Sequence, residues 1–230
     1  MKIARTVSEL RSTVRAWRGE GLRVGLVPTM GFLHDGHLSL VDVIRPRADR
    51  VILTIFVNPT QFAPGEDLDS YPRDEAGDCE KARSRGVDLA FIPADGEMYP
   101  SGAETAVDLA RLPRHLCGLS RPVHFGGVAT IVTKLFIVSE PDVAIFGEKD
   151  YQQLQVIRRM TRDLLFDIEI LAGATIREPD GLAMSSRNKY MTHQERAKAP
   201  AIRRSLLAAR DAVAAGETDV GRLSDGIRGT

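Results

Sequence analysis

The chain has 230 residues, 43% of them hydrophobic, and its 31 Lys+Arg are matched by 31 Asp+Glu. That length holds one large domain, or one domain plus part of another, with a sizeable core. The zero balance excludes a chain-wide attraction to nucleic acid or to an anionic membrane, though local basic patches remain open. No apolar run approaches a membrane span, and the N-terminus lacks the apolar stretch of a signal peptide. Cys79 and Cys117 stand far apart with no C-x-x-C spacing, which points to free thiols in a reducing compartment. The chain therefore reads as cytoplasmic.

Residues 7–18 place Val7, Leu10, Val14 and Trp17 on one helical stripe, stopped by Gly21. A strand follows at 23–27, then a helix from near Gly36 to about Pro46. The run 51–57 is apolar on both faces, as in the interior of a parallel sheet. A long polar loop covers 58–72, a charged helix 73–85 and a buried strand 88–93. Residues 94–120 look irregular, with one possible strand at 105–110. Helix 127–138, strand 142–146, helix 150–162 and strand 168–172 complete the alternation. That alternation predicts an α/β fold, a Rossmann-like doubly wound parallel sheet, over residues 1–176. Beyond it, 177–230 reads as the start of a smaller C-terminal lid domain, with a long helix from 192 to about 215 and a weaker helical start after Thr218.

In such sheets ligands sit outside the carboxyl ends of the strands; three polar segments fall there, and another lies on a later loop. In the first, Pro28-Thr29-Met30-Gly31 leads into His34-Asp35-Gly36-His37. Two histidines three apart share a helix face, and a helix N-terminus attracts phosphate; a surface pair or half of a metal site are the alternatives. The second is Phe146-Gly147-Glu148-Lys149-Asp150, where Gly147 permits close backbone approach, Lys149 suits a phosphate and Asp150 suits a helix cap. It equally fits an ordinary strand–helix turn. The third, Met184-Ser185-Ser186-Arg187-Asn188-Lys189, carries donors for an oxyanion, or is a polar linker. The fourth, Phe56-Val57-Asn58-Pro59-Thr60-Gln61-Phe62, offers amides for the hydroxyl and carboxylate groups of a small substrate, or is a plain Asn-Pro turn. Neither a G-x-G-x-x-G nor a P-loop motif occurs.

Taken together, and with Glu66-Asp67-Leu68, Tyr71-Pro72-Arg73, Arg121-Pro122, His124-Phe125 and Gln152-Gln153, these segments run in order over nearly the whole chain. In this the chain resembles the pantothenate synthetase family, within the nucleotidylyltransferase-like superfamily. The resemblance implies an ATP-dependent ligase that joins pantoate to β-alanine through a pantoyl-adenylate, uses Mg²⁺ with ATP, and works as a cytoplasmic homodimer. It implies ATP contacts from Met30, Gly31, Phe32, Leu33, His34, Asp35, Gly36 and His37, with His37 as the acid. It further implies ATP contacts from Gly147, Glu148, Lys149, Asp150, Ile176, Met184, Ser185, Ser186 and Arg187. Gln61 would touch pantoate and β-alanine, Gln153 pantoate, and Arg121 falls at an active-site arginine. Asn58 joins them as a pantoate reader. No protein metal ligand is expected.

The chemistry fits these residue types. A carboxylate with a pKa near 4 is already ionised at pH 7, so the first step rests on positioning and charge stabilisation. His34, His37, Lys149, Ser185, Ser186 and Arg187 suit that task. Three departures from the family pattern stand out: Val123 where glycine is common, Thr60 where methionine is usual, and a chain shorter than the family's usual length. The last predicts that most of the lid is missing and that the chain folds and dimerises yet turns over poorly. Two rival readings are a folded but poorly active dimerisation module and an adenylyltransferase that uses the same histidine pair on a phosphorylated substrate.

Overall fold

The computed structural model describes residues 1–229. The chain divides into two compact units, Met1–Ala174 and Thr175–Thr230. The first unit carries six parallel strands: β1 (Lys2–Ala4), β2 (Val24–Thr29), β3 (Arg50–Ile55), β4 (Leu89–Phe91), β5 (Val143–Gly147) and β6 (Glu169–Gly173), in the order β1-β4-β3-β2-β5-β6. Its helices are α1 (Val7–Gly19), α2 (Asp35–Ile44), α3 (Glu75–Ser84), the short α4 (Asp95–Met98) and α5 (Cys117–Ser120), α6 (His124–Ser139) and α7 (Tyr151–Asp163). The predicted Rossmann-like doubly wound sheet is thus what forms.

Alternation along each strand sends side chains to opposite faces, and both faces here are apolar. Leu26, Ile52, Phe91 and Phe146 pack with α1, α6 and α7 through Leu10, Val128, Leu135, Leu154 and Ile157. Val27, Val51, Leu53 and Ile145 pack with α2 and α3 through Leu38, Val41, Ile44 and Ala82. Each such buried side chain contributes about 1.5–3 kcal/mol. From β2 the chain steps to β3 and β4 on one side and later returns to β5 on the other. The order therefore reverses between β2 and β5, the switch point where open α/β sheets bind ligands.

Two expectations about the elements need correction, and one strand was not anticipated. Residues 105–110 form no strand: the Thr130 hydroxyl accepts from Val107 N–H (2.9 Å) and donates to Val107 C=O (3.3 Å), while Val107 and Leu109 pack on the core. Their period-two pattern reflects this packing, not a ladder. The long helix expected from 192 to about 215 is two, α8 (His193–Lys198) and α9 (Ala201–Ala214), because Pro200 lacks the N–H a continuous helix needs. The three-residue β1, unpredicted, pairs with β4. In the second unit α10 (Val220–Arg228) follows α9, opened by Asp219, whose carboxylate accepts from Arg222 N–H. Cys79 and Cys117 are both free thiols.

Candidate active site

Several hydrogen bonds build the turn after β2. Thr29 Oγ1 donates to Thr54 C=O (2.6 Å) and accepts from Gly31 N–H (3.1 Å). Gly31 takes φ +84°, and a Cβ there would stand 2.9 Å from Ile55 and 3.0 Å from the Asp78 carboxylate, so only glycine fits. Phe32 also sits at φ +51°, a conformation that costs a non-glycine residue about 1–3 kcal/mol. Asp78 of α3, 1% exposed, offsets that cost by accepting from Phe32 N–H (2.7 Å) and Leu33 N–H (2.6 Å). One turn along α3, Lys81 Nζ donates to Leu33 C=O (2.9 Å). Burial pushes the Asp78 carboxyl above its usual range, against the pull of those two N–H bonds. This brace was invisible in a helix read only as charged.

The turn delivers the two histidines, though not as sequence spacing implied. Helix α2 begins at Asp35, so His34 is its N-cap rather than part of a helix face. His34 Nδ1 accepts from Gly36 N–H (3.1 Å), and His37 Nδ1 accepts from His34 N–H (3.4 Å), a reciprocal cap with ring centroids 4.1 Å apart. Each Nδ1 being an acceptor, each neutral ring carries its proton on Nε2. Burial first, then the neighbouring His34 and Lys149, lowers the His37 pKa to about 3; burial and Lys149 lower that of His34. Both rings are therefore neutral at pH 7, each with its proton on Nε2.

Across the switch point, β5 ends in Gly147 and a 3₁₀ turn of Glu148–Asp150. A Cβ on Gly147 would meet nothing nearer than 4.0 Å, so this backbone is open to a ligand. The Lys149 charge reaches both histidines, as does that of Lys81 from α3. Asp150 occupies the N-cap position of α7 but makes no capping bond; its carboxylate lies 3.3 Å from Lys149 Nζ instead. The expectation of an Asp150 cap is corrected accordingly.

After β3, Asn58 is 1% exposed and fully engaged within the protein. Its Nδ2 donates to Gln61 Oε1 (3.1 Å) and Gly127 C=O (3.1 Å); its Oδ1 accepts from Tyr99 OH (2.7 Å) and Thr60 Oγ1 (3.0 Å). Every polar atom of the Asn58 amide thus has a partner within the protein. The close approach depends on Gly127, where a Cβ would fall 2.4 Å from Thr60 C=O. Gln61 sends Nε2 toward Met30 Sδ (3.2 Å), bringing these two predicted residues together. Arg121 does not stand free: its guanidinium grips Glu66 through two bonds (2.9 and 2.5 Å) and holds that carboxyl below its usual range. Its Nη2 also reaches Gln61 C=O at 3.4 Å. Gln153 lies partly buried on α7. Its neighbour Gln152, unassigned from sequence, ties α7 to residues 112–117 through bonds to Cys117 N–H, Leu112 C=O and His115 C=O.

A cavity of about 320 Å³ opens where β2, β3 and β4 end, lined by Met30, Gly31, Phe56, Arg73 and Asp78 among others; of the predicted site residues only Met30 and Gly31 reach it. In the second unit, Met184 N–H bonds Ile176 C=O (3.0 Å) and an isolated bridge joins Arg177 and Ala183, so Ile176 and Met184 are neighbours. Ser185 caps the 3₁₀ turn Ser186–Tyr190 by accepting from Arg187 N–H (3.3 Å), and Ser186 is buried. Among the described residues no group of three or more His, Cys, Asp or Glu is arranged to hold a metal. Among them, too, no helix is long and apolar enough to cross a membrane.

A family profile described as pantoate-beta-alanine ligase matches residues 2–228. The chain belongs to this family. It is 55% identical to the pantothenate synthetase of Syntrophobacter fumaroxidans over 217 residues, covering 94% of this chain and 77% of that protein. It is 56% identical to that of Caulobacter vibrioides, covering 93% and 75%. A pantothenate synthetase structure from Thermus thermophilus superposes with TM-score 0.94 at 46% identity, covering all of this chain and 83% of that one. A pantoate-beta-alanine ligase from Francisella tularensis, solved with beta-gamma ATP and β-alanine, gives TM-score 0.87 at 34% identity over all of this chain and 85% of that one.

Proposed function

We propose that this chain condenses pantoate with β-alanine at the expense of ATP, in two steps. A pantoate carboxylate oxygen attacks the α-phosphorus of ATP, forming a pantoyl-adenylate as pyrophosphate leaves. The β-alanine nitrogen, as the neutral amine, then attacks the acyl carbon; the amide forms, the amine gives up a proton, and AMP leaves with the former carboxylate oxygen. The observation that carries this reading is the pair of Nε2–H donors at the α2 N-terminus, with the Lys149 charge beside them, at the point where strand order reverses.

These groups are fixed before the substrate arrives, and preorganised donors stabilise charge developing at phosphate without reorganisation. His34, His37 and Lys149 face the triphosphate; Met30 to His37 and Gly147 to Asp150 shape its bed. The family resemblance assigns further ATP contacts to Ile176, Met184, Ser185, Ser186 and Arg187, among them two hydroxyls and a guanidinium suited to oxyanions. Gln61 and Gln153 read pantoate, and Gln61 also meets β-alanine. Arg121 contributes by holding Glu66 and the Gln61 backbone. Each imidazole engages Nδ1 with a backbone N–H and carries a proton on Nε2, so neither presents a lone pair to a metal. Mg²⁺, when bound, would be held by the ATP phosphates and would supply neutralisation of their charge. A homodimer working in the cytoplasm completes the reading.

The test is pyrophosphate release with ATP and Mg²⁺ while each co-substrate is omitted in turn. AMP, pyrophosphate and the amide should accumulate together only when pantoate and β-alanine are both present at turnover. Pyrophosphate release from ATP with a phosphorylated pantetheine, but not with pantoate plus β-alanine, would overturn it.

A further inference from the structure

We infer that Tyr99 and Thr60, acting through Asn58, are positioning residues that make Gln61 present an amide N–H donor, not a carbonyl acceptor, to the carboxylic-acid substrate. The inference rests on the acid-binding role proposed for Gln61.

The logic is one of donors and acceptors. A primary amide is nearly symmetric in shape, so what surrounds it decides which end points where. Gly127 C=O can only accept, and it faces one end of Asn58 at 3.1 Å; that end is therefore Nδ2. The other end meets two hydroxyls, Tyr99 OH at 2.7 Å and Thr60 Oγ1 at 3.0 Å, which also lie 3.1 Å apart. With one hydrogen each, the two hydroxyls cannot both donate to one another, so at least one donates to Oδ1. Burial raises the Tyr99 pKa, so its hydroxyl keeps its proton at neutral pH. Lys134 holds the ring in place: its Nζ lies 4.2 Å from the ring centroid and donates to Met98 C=O.

Asn58 thus fixed has one Nδ2 hydrogen left, and it goes to Gln61 Oε1 at 3.1 Å. That engages the only acceptor of the Gln61 amide and turns Nε2 toward Met30 Sδ at 3.2 Å. Sulfur is a weak acceptor, so the Nε2 hydrogens are readily given to a better one. A carboxylate or hydroxyl oxygen is such an acceptor, and a substrate offering N–H there would meet donor against donor. Thr60 stands where the family resemblance expects methionine, so the hydroxyl pair is a feature of this chain's version of the site.

The test uses the full chain with Tyr99→Phe, Thr60→Val and both together. Each single variant leaves one donor on Oδ1 and should change little. The double variant should raise KM for pantoate by about tenfold, the equivalent of roughly one net hydrogen bond, with KM for ATP changed less than twofold. In a Gln61→Ala background the same double change should have no further effect on pantoate KM, because its influence passes through Gln61. Without any substrate, the nuclear Overhauser contact between the Gln61 Nε2 hydrogens and the Met30 methyl should be present in the wild type and lost in the double variant. An unchanged pantoate KM with the contact retained would overturn the inference, as would an equal loss in the Gln61→Ala background. Failure of the wild type to consume pantoate would instead sink the functional reading, while the Overhauser contact would still decide the positioning claim. If that double variant does not fold, Tyr99→Phe with Thr60→Met, the residue usual in the family at position 60, removes the same two hydroxyls and should likewise lose the contact, and a retained contact would count against the inference.

Discussion

Asp78 is the sharpest place to perturb the site without touching any group that meets substrate. Its buried carboxylate accepts from two backbone N–H groups in a turn that holds Phe32 at positive φ. Asp78→Asn keeps one acceptor and turns an NH₂ onto the other N–H. Losing the partner of one buried donor costs about 1–3 kcal/mol. Asp78→Ala removes the acceptor from both, about 2–6 kcal/mol by the same measure. The Asn variant should therefore unfold at lower urea with an unchanged slope, followed through Trp17, the single tryptophan, which is buried on α1. The turn would also relax, and a shift on the order of 1 Å in the histidine donors can lower a rate about a hundredfold. Single-turnover AMP formation should thus fall by about 10- to 100-fold in the Asn variant. Lys81→Met, which removes only the bond to Leu33 C=O, should fall less. Wild-type urea midpoint and wild-type adenylation rate in Asp78→Asn would refute the brace.

His37→Ala should lower adenylate formation by about 10²- to 10³-fold, as loss of one preorganised donor does; AMP release near the wild-type rate in a single turnover would contradict it. Because both histidines work as neutral donors, adenylation should stay flat from about pH 6.5 to 8.5, where ordinary imidazoles lose their charge; a fall with rising pH through that range would mean an imidazolium does the work. Stability should move the other way with acid. The native His37 pKa of about 3 lies below the unfolded value, so the unfolded chain alone takes up this proton as pH drops below about 6.5. Between about pH 6.5 and 5 this costs about 2 kcal/mol, a loss that His37→Asn should abolish in parallel urea titrations at the two pH values.

The doubly wound sheet was legible because each long strand is apolar on both faces and each helix has its stripe. What escaped was short or non-local. Residues 2–4 are too few to show a period, and β1 is secured by its ladder to β4. Residues 105–110 carried a strand pattern, but a single hydroxyl on Thr130 takes both backbone groups of Val107. The motif around His34 and His37 was legible as a turn into a helix after β2, yet the neutral state of the rings depends on burial and on Lys149, more than a hundred residues away. Asp78 and Lys81 looked like ordinary charges on a charged helix. The enclosure of Asn58 was not legible either, because its partners at positions 60, 61, 99 and 127 come from separate parts of the chain.

The central claim, that the acid is activated as an acyl-adenylate on this histidine and lysine platform, is tested most directly by isotope transfer. Pantoate labelled with ¹⁸O in its carboxylate, turned over with ATP and β-alanine, should yield AMP carrying one ¹⁸O atom and pyrophosphate carrying none. Unlabelled AMP, or label appearing in inorganic phosphate alongside ADP, would contradict the account.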